Sequence, residues 1–116
     1  MRVTAQWETR LVSLTNTREH WAKRAARAKA QRSAAAYALR SAAQGQTFSK
    51  RARYIVTITR IGKRALDSDN LQGACKSIRD GVADALGIDD GDPRIEWRYA
   101  QERGDYAVRV QVEGKP

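Results

Sequence analysis

A chain of 116 residues, 41% of them apolar and three of them Trp, is sized for a single domain spanning 1–116 with one core, and is too apolar for disorder to be the default. One Cys and one His exclude an intramolecular disulfide and a Cys/His zinc site, and no run approaches the roughly 18 apolar residues a membrane span requires. No secretion signal opens the chain, so a reducing, cytoplasmic setting is expected. The formal net charge of +9 is unevenly spread: residues 1–64 carry 15 Lys/Arg against Glu8 and Glu19, a balance of +13, whereas residues 65–116 carry 7 against 11 acids, a balance of −4. A surface so basic attracts polyanions through phosphate contacts and counterion release, so nucleic acid is the expected partner rather than a merely solvated charged face.

In chain order, residues 6–14 have the β-branched and aromatic character of a short strand. Asn16 with Glu19 three residues on has capping-box spacing, and predicts a long Ala-rich helix from about Thr17 to Gln44. Its apolar positions are mostly Ala, with Trp21, Tyr37 and Leu39 the large exceptions. Arg18, Lys23, Arg24, Arg27, Lys29 and Arg32 are expected to form its basic, DNA-binding surface. Residues 52–60 are β-branched throughout and predict a strand broken at Gly62, after which Lys63 and Arg64 add two further DNA-binding candidates. A second helix is expected from about Asp69 to Leu86, closed by Gly87, with Leu71, Cys75, Ile78, Val82, Ala85 and Leu86 on one core-facing stripe. Residues 94–100 and 105–113 read as two further strands around a hairpin turn at 102–105. The order β-α-β-α-β-β makes a small α+β domain with a mixed sheet of about four strands and two main helices.

Seven acids fall between Asp67 and Asp92 of this basic chain. At about 100° per residue, Asp69, Gly73, Lys76, Asp80 and Asp84 lie within about 60° of one another on the second helix, opposite the apolar stripe. Asp67 lies just upstream, and Asp89, Asp90 and Asp92 follow the helix in a segment that Gly87, Gly91 and Pro93 allow to turn back. Capping by Ser68 or Asp69 accounts for one or two of these acids but not for seven. Oxygen ligands of this kind suit Mg²⁺, with Mn²⁺ as a substitute, and Mg²⁺ with a neighbouring Lys76 suits phosphodiester hydrolysis. An EF-hand fails because Leu71 and Gln72 occupy the third-ligand and glycine positions and the closing Glu is missing. His20 and Cys75 read as a helix-surface or phosphate-contacting residue and a small core residue, not as a catalytic pair.

The pattern Asp67-x-Asp69-Asn70-Leu71, then an amphipathic helix ending in Asp84-Ala85-Leu86-Gly87, then Asp89-Asp90, resembles the RusA family of Holliday junction resolvases, common in phages and prophages. The resemblance covers most of the chain. It implies a Mg²⁺-dependent homodimeric endonuclease acting on branched DNA in recombination and repair, in the cytoplasm of a bacterial or phage-infected cell. Its essential carboxylates match Asp67, Asp69 and Asp90. The family's lysine stands four residues after the second Asp, where this chain has Gly73; Lys76, three residues further on, takes the catalytic lysine's place in this reading. The segment Asp89-Asp90-Gly91-Asp92-Pro93 also departs from the family form and leaves Asp89 or Asp92 as an alternative metal ligand. The competing readings are a non-catalytic, architectural DNA-binding protein of the same fold and an RNA-directed protein.

Overall fold

A computed structural model describes residues 1–13 and 20–115. The elements are β1 (Arg2–Glu8), α1 (Trp21–Ala42), β2 (Arg53–Gly62), α2 (Ser68–Ala74), α3 (Lys76–Leu86), β3 (Ile95–Arg103) and β4 (Ala107–Lys115). The four strands form one mixed sheet in the order β1-β4-β2-β3, so the chain is the small α+β domain its pattern predicts. No helix among the described residues is long and apolar enough to cross a membrane.

The central strand is the one with unbroken β-branched sequence. Along β2, Tyr54, Val56 and Ile58 are buried while Ile55 and Thr57 are half-buried; on β4, Val108, Val110 and Val112 alternate with Arg109 and Gln111 in the same way. This period of two puts one sheet face against the helices. Ala35, Leu39, Ile78, Val82 and Leu86 complete the core from the helical side.

Three expectations are corrected. The first strand is Arg2–Glu8, not 6–14: its ladder with β4 runs from Arg2 opposite Glu113 to Glu8 opposite Ala107, and Ala107 is the first residue of β4, so residues beyond Glu8 have no partner to extend the ladder. The strands flanking 102–105 are present but do not form a hairpin. β3 pairs parallel with β2 and β4 pairs antiparallel with β2 on its other side, and the connection crosses the end of β2, where the Gly104 N–H donates to the Gly62 carbonyl at 3.0 Å. The parallel pair requires a crossover, which α2 and α3 supply.

The second helix, finally, is two. Cys75 (φ −90°, ψ −1°) ends α2, its N–H shared between the Leu71 and Gln72 carbonyls, and begins α3 as its N-cap residue. The apolar stripe survives the break: Leu71, Cys75, Ile78, Val82 and Leu86 are buried. Burial pushes the Cys75 thiol up to about 12, against the weak opposing pull of the Arg60 charge, so it is an inert core residue. Gly87 closes α3 in the left-handed region (φ 69°) as expected, with its N–H on the Ala83 carbonyl.

The Ala-rich α1 begins at Trp21, with His20 as N-cap accepting the Ala22 N–H through Nδ1 at 3.2 Å; the Asn16/Glu19 box lies outside the described residues. Ala35, Ala36 and Leu39 are buried, but Trp21 and Tyr37 are each 75% exposed. The small residues serve close packing on α3, where a Cβ at Gly81 would overlap the Arg32 carbonyl oxygen and stand 2.8 Å from the Ala35 Cβ.

The turn into β3 is fixed by Asp92. Its carboxylate accepts the Arg94 backbone N–H at 2.9 Å and the guanidinium at 2.8 and 3.1 Å. These hydrogen bonds lower its pKa to about 2. A depressed folded-state value means that the interaction stabilises the fold above the ordinary carboxylate pKa of about 4 and is lost as pH falls through about 2. A carboxyl-carbon NMR titration should place the Asp92 midpoint near 2, and in an Arg94→Gln variant it should rise toward the ordinary value.

Candidate functional site

The chain between β2 and α2 carries the acidic motif, and two strand residues hold it. Arg60 donates from one terminal nitrogen to the Arg64 carbonyl at 2.8 Å. Gln101, opposite Arg60 on β3, accepts the Leu66 N–H and donates to the Leu66 carbonyl, both at 2.8 Å. A side-chain amide paired with both the N–H and the carbonyl of one residue holds Leu66 in place next to Asp67. Replacing Gln101 by Leu strands two backbone groups; we expect a loss of about 1–3 kcal/mol in urea unfolding and a fall in any activity that depends on Asp67.

Asp67 itself caps α2, the role expected of Ser68 or Asp69. Oδ1 accepts the Asn70 N–H at 2.9 Å and Oδ2 the Asn70 side-chain amide at 3.0 Å, while the Asn70 Oδ1 accepts the Ser13 hydroxyl at 2.8 Å. The Asp-Asn pair of the motif is thus a mutual brace that ties the start of α2 to the segment after β1. Asp69 lies exposed in the first turn, where a carboxylate complements the helix dipole.

The other half of the motif gathers around a cation. Arg79 donates from Nε to the Asp90 carboxylate at 3.2 Å and from its two terminal nitrogens to the Asp90 carbonyl at 3.0 Å and the Tyr99 hydroxyl at 3.1 Å, with its guanidinium 4.6 Å from the centre of the Trp97 ring. Trp97 also donates to the Asp90 carbonyl at 2.9 Å. Lys76 lies 3.0 Å from Asp80 and 3.9 Å from Asp90. Gln72, Gly73, Lys76, Arg79, Asp90 and Tyr99 line one open pocket of about 360 Å³. Of the Asp90 alternatives, Asp92 is taken by Arg94, and Asp89 is exposed with its carbonyl accepting the Asp92 N–H.

Lys76, Asp80 and Asp90 are therefore brought together, and Asp67 and Asp69 flank the N-terminus of α2. Among the described residues no group of three or more His, Cys, Asp or Glu side chains is gathered to hold a metal ion. Asp84, expected on the face of Asp69 and Lys76, turns instead to α1: Arg32 holds it with bonds of 2.7 and 2.8 Å, which lower the Asp84 pKa. The break at Cys75 leaves Asp69 on α2, while Lys76, Asp80 and Asp84 stay together on α3. Arg32 thus forms an ion pair between α1 and α3 while remaining exposed on α1.

The remaining basic candidates divide by position. Lys23, Arg24 and Lys29 are exposed on α1, Arg27 is half-buried, and Arg18 lies outside the described residues. Trp21, Arg24 and Arg27 share a groove of about 340 Å³ with Gly73, Lys76 and Asp80, so the basic helix and the acidic face open onto the same space. Lys63 and Arg64 are exposed beyond β2, with Lys63 2.7 Å from Asp105.

No family model and no curated protein matches this chain. The geometry must therefore carry the functional reading. Three residues of that geometry were not singled out from sequence: Arg79, Gln101 and Arg60. Arg79 carried a signal, being the only Arg between Leu66 and Pro93 among seven acids. Gln101 and Arg60 carried none, because their roles depend on which strand lies beside which.

Proposed function

We propose that the chain is a Mg²⁺-dependent, structure-selective endonuclease of the RusA type that resolves four-way DNA junctions by phosphodiester hydrolysis. The observation that carries this reading is the shared groove, in which Arg24 and Arg27 of the basic helix face the Lys76 and Asp80 side of the acidic motif. Phosphates held by the helix would lie beside Lys76, the cation proposed to offset phosphoryl charge.

Mg²⁺ is ordinarily held by one or two carboxylates, waters and substrate phosphate, so a preformed cage of three acids is not required. Asp67 and Asp69 at the start of α2 fit that donor set, with Asp90 as the third family carboxylate and Asp89 beside it. When bound, the ion supplies a polarised phosphoryl group and an activated water. The chain's own contribution is positional and electrostatic. Asn70 fixes the Asp67 carboxylate, Gln101 fixes the peptide before it, and the Lys76 ammonium offsets the charge that builds on the phosphoryl oxygens. A junction is cut at two symmetry-related strands and one small chain offers one site, so the active species is a homodimer with a two-fold axis. The expected setting is the cytoplasm of a bacterial or phage-infected cell, in DNA recombination or repair.

A second reading, a non-catalytic architectural DNA-binding protein, is favoured by Gly73 at the family's lysine position and by the engagement of Asp90 with Arg79. Metal dependence separates the two. Nuclease function predicts nicking of a synthetic junction with Mg²⁺ or Mn²⁺ and none in EDTA; if Mg²⁺ alters neither cleavage nor melting temperature, the architectural reading stands.

A further inference from the structure

The core-facing row of β2 runs Tyr54, Val56, Ile58 and then Arg60, which is only 7% exposed. Its Nε donates to the Leu11 carbonyl at 3.0 Å and one terminal nitrogen to the Arg64 carbonyl. Both partners are neutral, and among the described residues no carboxylate lies within 4 Å of this guanidinium. A buried cation without a counter-charge is costly, and five N–H donors are not exhausted by two carbonyls.

Arg60 also lines a pocket of about 290 Å³ at the exit of β2, together with Gly62, Lys63, Arg64, Glu102 and Arg103. The one acid of this lining, Glu102, is engaged by Arg109 at 2.6 and 3.0 Å. Gly62, with no side chain, lies directly against the guanidinium. A Cβ there would stand 3.0 Å from one terminal nitrogen and 3.1 Å from Cζ and the other.

The geometry points to a phosphate-binding site formed by Arg60, Lys63, Arg64 and Arg103, taking a phosphodiester of a nucleic-acid strand that passes the exit of β2. The planar fork of an arginine suits a phosphate, and Arg64 and Arg103 add charge, while Lys63 is shared with Asp105. The site stands on the uncompensated Arg60 guanidinium and its glycine neighbour; only the identification of the anion as a backbone phosphodiester rests on the endonuclease reading above. Because Arg60 also binds the Arg64 carbonyl, a phosphate here would be fixed relative to the chain leading to Asp67.

Inorganic phosphate titrated at constant ionic strength tests the site, with the melting temperature as readout. Wild type should be stabilised beyond a chloride control. Gly62→Ala, which changes no charge and covers the guanidinium, should raise the half-saturating phosphate concentration by about tenfold, the scale of one charge-assisted hydrogen bond. Arg53→Gln, a loss of charge elsewhere on β2, should leave it unchanged. Equal stabilisation by phosphate and chloride, or an unaltered Gly62→Ala response, would overturn the site. The source of the anion is read from junction binding in EDTA: Arg64→Gln and Arg103→Gln should each lower the salt slope of binding by about one. Unchanged slopes with phosphate binding intact would overturn the phosphodiester assignment. Failure of the protein to cut DNA while both binding results hold would remove the nuclease reading and leave this site standing.

Discussion

Asp69→Asn is expected to abolish Mg²⁺-dependent junction nicking, by on the order of 10³-fold, the scale of several kcal/mol of metal-assisted charge stabilisation. Junction affinity measured in EDTA should be equal or tighter, because a carboxylate is removed from a surface that meets phosphates. The variant is informative because Asp69 is exposed and does not cap α2; Asp67 does. Its structural cost is limited to a helix-dipole contribution of about 0.3–1 kcal/mol. Asp67→Asn would mix two effects, since it also disturbs the brace with Asn70. Parallel loss of binding and cleavage in Asp69→Asn would mark the residue as structural.

The second large effect concerns the two glycines of the α2–α3 segment, and it has opposite signs. Gly to Ala inside a helix ordinarily gains about 0.5–1 kcal/mol. At Gly73 a Cβ meets nothing within 4 Å, so Gly73→Ala should be stabilising by that amount in urea unfolding. At Gly81 the same methyl overlaps the Arg32 backbone and crowds Ala35. Gly81→Ala should therefore destabilise by about 1–3 kcal/mol, since backbone carbonyl oxygen cannot turn aside as a side chain can. A further test lies in the Arg32–Asp84 pair, which spans the same contact. Forcing α1 from α3 should weaken it, so the Asp84 carboxyl should titrate closer to its ordinary value in Gly81→Ala. A stabilised Gly81→Ala variant would contradict the close approach of the helices.

Much of the fold was legible because its signals are local. The β-branched run of β2, the apolar stripe from Leu71 to Leu86 and the Gly87 stop each depend on neighbours within a turn or two, and each appears in the structure. The pairing of strands is not local. The short connection at 104–106 suggests a hairpin, and only competition for the apolar central strand sends β3 and β4 to opposite sides of β2. The helix break at Cys75 was equally hidden, since the stripe continues through it.

The candidate site divides the same way. That acids converge on a cation near Lys76 could be read from helical spacing, and Lys76–Asp80 is an i, i+4 pair. That Asp84 would be paired with Arg32 depended on a residue 52 positions away, and that Asp90 would be held by Arg79 depended on the turn through Asp89 and Gly91. Charge composition gave Arg60 no special place among 22 basic residues. Its distinction is burial, which the strand pairing creates.

The central claim, that this chain cuts branched DNA, is tested most directly by mapping the strands of a synthetic four-way junction after incubation with the protein and Mg²⁺. Paired nicks at symmetry-related positions, giving ligatable nicked duplexes, are the predicted result. A junction that is bound but left intact would contradict it.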